Sequence, residues 1–103
     1  MQKAKRLELH SKFEELLGSK NVYYQPPASV NMTYPAIRYS KARIDSKHAN
    51  NKKYLNKTLY EVIVIDSMPD NPVIEKLLEL PCSVHDRWYP ADGLNHDVIK
   101  LYY

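Results

Sequence analysis

The residues whose chemistry stands out lie near the C-terminus, in the stretch "HDRWYPADGLNHD". It contains two adjacent His-Asp pairs, His85-Asp86 and His96-Asp97. Imidazole and carboxylate groups are common metal ligands, but this spacing matches neither a zinc pattern nor a facial triad. Neighbouring residues of a strand also point to opposite faces. We therefore expect cross-strand polar pairs around a hydrogen-bonded turn, with no metal and no cofactor.

A nucleophile with an activating partner is also missing from the sequence. The single cysteine, Cys82, follows the end of a predicted helix, so no helix N-terminus lowers its pKa. Asp70 and Glu75 are explained as charges that complement the start of that helix. Only two glycines are present, which leaves no glycine-rich phosphate loop. We expect a protein that is not an enzyme.

Charge is distributed unevenly along the 103 residues, which form one predicted domain spanning residues 1–103. Residues 41–57 hold six basic and one acidic side chain, whereas residues 58–103 hold three basic and eight acidic. A uniformly basic nucleic-acid binder has no use for the acidic half. Subunits that stack head to tail use both ends.

The N-terminus lacks the apolar segment of a signal peptide, and no window of the sequence is apolar enough for a membrane span. A single cysteine fits a reducing compartment. We expect no membrane partner and a cytoplasmic location. The nine tyrosines, beside one Phe and one Trp, suit surfaces that a partner buries.

Two helices are predicted. The first covers residues 2–17 and ends at Gly18. Its expected apolar face contains Ala4, Leu7, Leu9, Phe13, Leu16 and Leu17. The second begins with Asn71 as N-cap and Pro72 as first helical residue, and Pro81 ends it. Its expected apolar side contains Ile74, Leu77 and Leu78, flanked by Val73 and Leu80.

Strands account for most of the rest. Residues 58–66, "TLYEVIVID", are apolar on both faces and predict a central strand beside residues 36–44. A short extended piece at 22–25 precedes them. Two strands around Asp92-Gly93 form a C-terminal hairpin. The fold class is thus α+β, a mostly antiparallel sheet with two helices and a long projecting β-hairpin.

That projecting hairpin is residues 41–57, a basic ribbon between the two strand runs. Ala42, Ile44, Tyr54 and Leu55 alternate with polar residues at its two ends, with "HANN" at the tip. Two strands alone are marginally stable in water, so we expect an arm that docks on a partner rather than a solvated loop. The expected contact residues are Lys41, Arg43, Lys47, His48, Asn50, Asn51, Lys52, Lys53, Tyr54 and Lys57.

A second candidate interface contains Arg87 and Tyr89, next to Trp88. Arg, Trp and Tyr are enriched among interface anchors. For Trp88, a place as the main aromatic residue of a small core is an equally good explanation.

Several phrases together resemble a known family: "VYYQPP", "YPAIRYS", the "ANN" tip before Tyr54, "YEVIVID", "PDNPVIEKLLELP" and "DRWYPADGLNHDVIKLYY". The chain resembles, over nearly its whole length, the tail terminator or tail-completion proteins of long-tailed bacteriophages. These head–tail joining proteins are also called minor capsid proteins. Tyr34-Pro35, the 41–57 ribbon and residues 60–66 occupy the places of the family's "YP", long hairpin and central strand.

The resemblance implies a non-enzymatic virion protein of the neck. Such proteins form a ring, typically of six subunits, that closes the head-proximal end of the tail tube and meets the head connector or stopper. DNA passes through the lumen without specific recognition. The chain is short for a terminator, so a role as stopper or connector component stays open. The alternative function is a small DNA-binding regulatory protein that uses the basic ribbon.

Overall fold

The computed structural model describes residues 2–49 and 52–103, and the side chains of residues 4–44 and 58–103. The elements follow the order helix, three strands, helix and two strands. Their bounds are α1 Gln2–Leu17, β1 Val22–Tyr24, β2 Ala36–Ala49, β3 Lys52–Asp66, α2 Pro72–Leu78, β4 Ser83–Ala91 and β5 Leu94–Tyr102. The expected α+β class is confirmed.

All five strands form one sheet with the order β1-β2-β3-β5-β4. β1 runs parallel to β2, and the other neighbours are antiparallel. β3 therefore lies at the centre, with residues 36–44 beside it as expected. The short β1 and the hairpin strand β4 form the two edges.

The two faces of β3 are buried in different ways. Tyr60, Val62 and Val64 face α1 and α2 in the main core, which also contains Leu9, Phe13, Val73, Leu77, Ile37, Tyr39, Ile99 and Leu101. Ile63 and Ile65 lie on the opposite side with Val98, where Met32, Tyr89 and Leu94 pack against them. We call the first side the helix-covered face and the second the open face. The expectation of a central strand covered on both sides is confirmed around Ile63 and Ile65, whereas Leu59 and Glu61 on the open face are partly exposed.

α1 has the expected bounds, and Gly18 ends it with a φ of 76°. Its buried face is narrower than expected: Leu9 and Phe13 are fully buried, whereas Leu7 is 49% exposed. Leu9 and Phe13 are four residues apart and share one side of the helix. Leu7 is two residues from Leu9, which places it on the far side.

α2 begins as expected, with Pro72 in its first turn and the Asn71 Oδ1 accepting a hydrogen bond from the Val73 amide at 2.9 Å. Asn71 also donates through Nδ2 to Asp66 Oδ2 at 2.7 Å, which joins the helix start to the end of β3. The buried pair is Val73 and Leu77, again four residues apart. Leu78, expected on the buried side, is exposed.

The C-terminal hairpin turns at Asp92-Gly93, where both residues have positive φ. This matches the type I′ geometry that suits the right-handed twist of the two strands. The last residue is tied into the sheet, because Tyr103 and Thr58 exchange both backbone hydrogen bonds.

The backbone ladder between β2 and β3 extends from Ala36↔Ile65 to Ala49↔Lys52. β1 pairs with residues 37–39 of β2, and β5 pairs with residues 59–66 of β3. The tip residues Asn50 and Asn51 lie outside the described residues. Projection of this ribbon as an arm stays a prediction.

The N-cap provides a test of this fold. Replacing Asn71 with Ala removes both the cap and the bond to Asp66, so the free energy of unfolding should fall by about 1–2 kcal/mol. Asn71→Ser keeps a capping oxygen and should lose less. Urea denaturation followed by circular dichroism measures both. Equal stability of Asn71→Ala and the unchanged chain would contradict this account.

Candidate functional site

The two His-Asp pairs of the C-terminal hairpin form polar and stacking contacts rather than a shared cluster. His85 Nε2 lies 3.1 Å from Asp97 Oδ1 across the two strands. His96 instead stacks on Tyr89 with ring centroids 4.7 Å apart. His96 and Asp97 thus point to opposite faces, as expected for neighbours in a strand. Among the described side chains, no three His, Cys, Asp or Glu residues gather so as to hold a metal ion.

Arg87 and Tyr89 of the second candidate interface lie close together on β4. The Arg87 guanidinium forms an ion pair with Asp86 and lies 5.8 Å from the centre of the Tyr89 ring. Arg87 is exposed, and Tyr89 is half-buried by its contact with His96. Both remain accessible at the edge of the sheet.

Trp88 is 54% exposed and donates through Nε1 to Asn95 Oδ1 at 3.1 Å. Its interpretation as the main aromatic residue of the core is therefore wrong. Tyr39 and Phe13 fill that place on the helix-covered face. Trp88 lies on an edge strand, where β5 is its only described neighbouring strand, so its ring remains accessible to a partner.

The basic ribbon is described only at its base. Lys41 and Arg43 are exposed, and the Arg43 guanidinium donates to the Tyr102 hydroxyl at 2.8 Å. That contact holds the base of the ribbon against the end of β5. The remaining expected contact side chains lie outside the described residues: Lys47, His48, Asn50, Asn51, Lys52, Lys53, Tyr54 and Lys57.

A row of charged and polar side chains crosses the open face next to this base. Ser40 of β2 is paired with Glu61 of β3, and Glu61 with Lys100 of β5. Lys100 Nζ lies 3.0 Å from Glu61 Oε2. Arg38 lies two residues from Ser40 on the same face. The sequence pattern places Arg38 on this face, but composition alone gives no reason to single it out.

Arg38, Ser40 and Glu61 line a cleft of about 440 Å³ on the open face. Its lining residues are Gln25, Pro26, Arg38, Tyr39, Ser40, Lys41, Glu61 and Ile63. Arg38 is half-buried there, and because Glu61 is engaged by Lys100, Arg38 has no ion-pair partner among the described side chains. Such a group is suited to donate hydrogen bonds to a carboxylate or a phosphate oxygen from outside.

Two buried tyrosines form a network beneath α1. The Tyr39 hydroxyl is 2.7 Å from His10 Nδ1, and Arg6 lies 4.2 Å above the Tyr24 ring. Burial raises the pKa of Tyr39 against the opposing influence of Arg6. Tyr39 and Tyr60 are thus core residues, and the expectation that tyrosines serve partner surfaces is wrong for these two.

Comparison of the chain with family models, with curated proteins and with solved structures gave no match. Within residues 2–49 and 52–103, no helix is long and apolar enough to cross a membrane.

The last residue carries a pH-dependent contact. Tyr103 donates its hydroxyl hydrogen to Glu8 Oε1 at 2.5 Å, and this bond, with burial and the charge of Glu8, raises the Tyr103 pKa to about 12. A raised tyrosine pKa contributes stability that is complete below the unfolded value near pH 10 and is lost as the pH rises toward 12.

We expect the free energy of unfolding to fall more steeply between pH 9 and about pH 11.5 in the unchanged chain than in Tyr103→Phe. Glu8→Gln, which keeps an acceptor without its charge, should fall between the two. Urea titrations at each pH give the comparison. Parallel pH profiles for all three chains would show that the bond is not made.

Proposed function

We propose that this chain is a non-enzymatic bacteriophage neck protein that forms a ring at the head-proximal end of the tail. In this role it terminates the tail tube and joins it to the head connector. The resemblance of the quoted phrases to tail terminator and tail-completion proteins supports the proposal. Stopper and connector roles belong to the same class of assembly protein.

One observation carries the proposal: the ladder of β2 and β3 continues past their pairing with β1 and β5. Two strands without further neighbours gain little stability in water, because one ladder buries little apolar surface. The sequence of this segment is also strongly basic, with Lys47, Lys52, Lys53 and Lys57. A ribbon of this kind becomes stable when the surface of another subunit or of the tail tube covers it.

The fold supports an assembly role in a second way. Two helices cover one face of the sheet, while the open face has the half-buried Arg38 in a cleft and the edge strand presents Trp88 and Arg87. These are different surfaces on different sides of one subunit. Contacts between unlike surfaces generate rings when the rotation closes.

Deleting residues 45–53 tests the docking role of the ribbon. Phage carrying the deletion should produce heads and tails that fail to join, or tails of irregular length, because the subunit loses its contact with its neighbour. Electron microscopy of lysates counts complete particles and measures tail length.

The control is a chain in which Lys52 and Lys53 are exchanged for Arg, which keeps both the ribbon and its charge. It should assemble normally, and both purified chains should keep the circular dichroism spectrum of the unchanged domain. Complete virions with normal tails from the deletion phage would rule out the docking role.

The basic ribbon also favours a second function, a DNA-binding regulatory protein. Six basic side chains between residues 41 and 57 would contact phosphates, and binding would weaken steeply with salt. The fold argues against the helix-turn-helix form of such a protein. Three strands separate α1 from α2, whereas the two helices of a helix-turn-helix are adjacent in sequence. Filter binding of duplex DNA by the monomer at 50 and 200 mM salt distinguishes the two functions. The ring function predicts weak binding at both, whereas the regulator predicts tight binding that falls by orders of magnitude.

A further inference from the structure

The segment around α2 forms an acidic surface on the helix-covered side of the molecule. Residues 66–80 contain four acidic side chains and one basic. Asp70, Glu75 and Glu79 are exposed, and none has an ion-pair partner among the described side chains. Asp66 is different, because it is held by Asn71 and by the Met68 amide. We call Asp70, Glu75 and Glu79 the α2 acidic surface.

The open face lies on the other side of the same sheet and has the opposite character. Its basic side chains are Arg38, Arg43, Arg87 and Lys100. Two of these already have acidic partners, since Lys100 pairs with Glu61 and Arg87 with Asp86. Arg38 is the half-buried cation that lacks such a partner within the described residues, and it lines the 440 Å³ cleft.

We propose that the open-face cleft of one copy binds the α2 acidic surface of the next copy, with the Arg38 guanidinium donating hydrogen bonds to the carboxylate of Glu75 or Glu79. This inference rests on the proposed ring function and names its subunit contact. The geometry is suitable because the two surfaces lie on opposite sides of the sheet. Each copy can then bind one neighbour on each side, which is the head-to-tail arrangement that closes into a ring.

The character of the cleft favours a protein surface over nucleic acid as occupant. Beside Arg38 it contains the carboxylate of Glu61, which is ion-paired with Lys100, and the apolar side chain of Ile63. A row with both charges beside apolar groups matches the edge of a protein interface. An Arg guanidinium that is partly desolvated also gains more from a fixed carboxylate than an exposed one does.

The test exchanges charges across the proposed contact. Glu79→Lys adds a positive charge at the end of α2, where it also suits the helix dipole, so the fold should be retained. It should lower the association constant of the purified chain by about tenfold or more in sedimentation velocity. Glu15→Lys makes the same charge change at an exposed position on α1 and should leave association unchanged.

The partner substitution is Arg38→Glu, with Arg38→Gln as a version that places no second carboxylate beside Glu61. Both should weaken association, and Arg38→Glu combined with Glu79→Lys in one chain should recover at least part of it. Recovery is the decisive result, because damage to folding cannot produce it. Circular dichroism of each chain confirms that the fold is intact.

The outcomes separate this contact from the ring function. If the Glu79→Lys and Arg38→Gln chains associate like the unchanged chain and support virion assembly, the proposed contact is wrong. The ring function would still be supported if the ribbon deletion fails to assemble. If the chains stay monomeric and Arg38→Gln instead loses salt-sensitive binding of duplex DNA, the cleft binds nucleic acid and this inference is overturned.

Discussion

The structure depends on burying both faces of β3 with very few residues. The strand is apolar on each side, so both sides must be removed from water. Two helices cover one face, where Leu9, Phe13, Val73 and Leu77 supply the packing. Within the described residues 2–49 and 52–103, no third helix is present to cover the other face. Met32, from the loop before β2, covers Ile63, Ile65 and Val98 there.

The same limit explains the open face. Met32 and Tyr89 cover the part of the sheet around Ile65 and Val98, and the chain leaves the adjacent row accessible. That row is polar, with Ser40, Glu61 and Lys100, which is how a sheet face tolerates water. Its accessible position follows from the size of the fold, whereas the position of Arg38, which has no ion-pair partner among the described side chains, does not. A half-buried guanidinium of this kind is able to donate hydrogen bonds to a carboxylate from outside.

Much of the fold follows from local patterns in the sequence. The bounds of α1, the Asn71-Pro72 start of α2 and the Asp92-Gly93 turn each depend on a few neighbouring residues, and all were predictable. The two faces of β3 follow from strict alternation of its side chains. The long-range pairing of strands is harder to predict from the sequence. No local signal shows that β1 runs parallel to β2, or that β5 rather than β4 lies beside β3.

In the candidate sites, too, some features follow from the local sequence pattern and others depend on contacts between residues far apart in sequence. Alternation indicates that Arg38 faces away from Ile37 and Tyr39. Its lack of an ion-pair partner within the described side chains depends on Lys100, which reaches Glu61 from a strand 39 residues away in sequence. Residue type alone does not separate the exposed Trp88 from the buried Tyr39, because position in the sheet decides which side chain is covered. Trp88 is on an edge strand, whereas Tyr39 lies beneath α1, where His10 satisfies its hydroxyl and makes full burial possible.

The ribbon and the open-face cleft lie next to each other, which would constrain the angle between neighbouring copies in any ring. The ribbon consists of the outer parts of β2 and β3, and the cleft lies on the same two strands where β1 and β5 join them. A neighbour whose α2 acidic surface occupies the cleft is therefore brought next to the base of the ribbon. The Arg43–Tyr102 bond holds that base to β5. If copies contact each other as proposed, the two adjacent contacts would together set the angle between neighbours, and a fixed angle between copies is what limits a head-to-tail assembly to a closed ring.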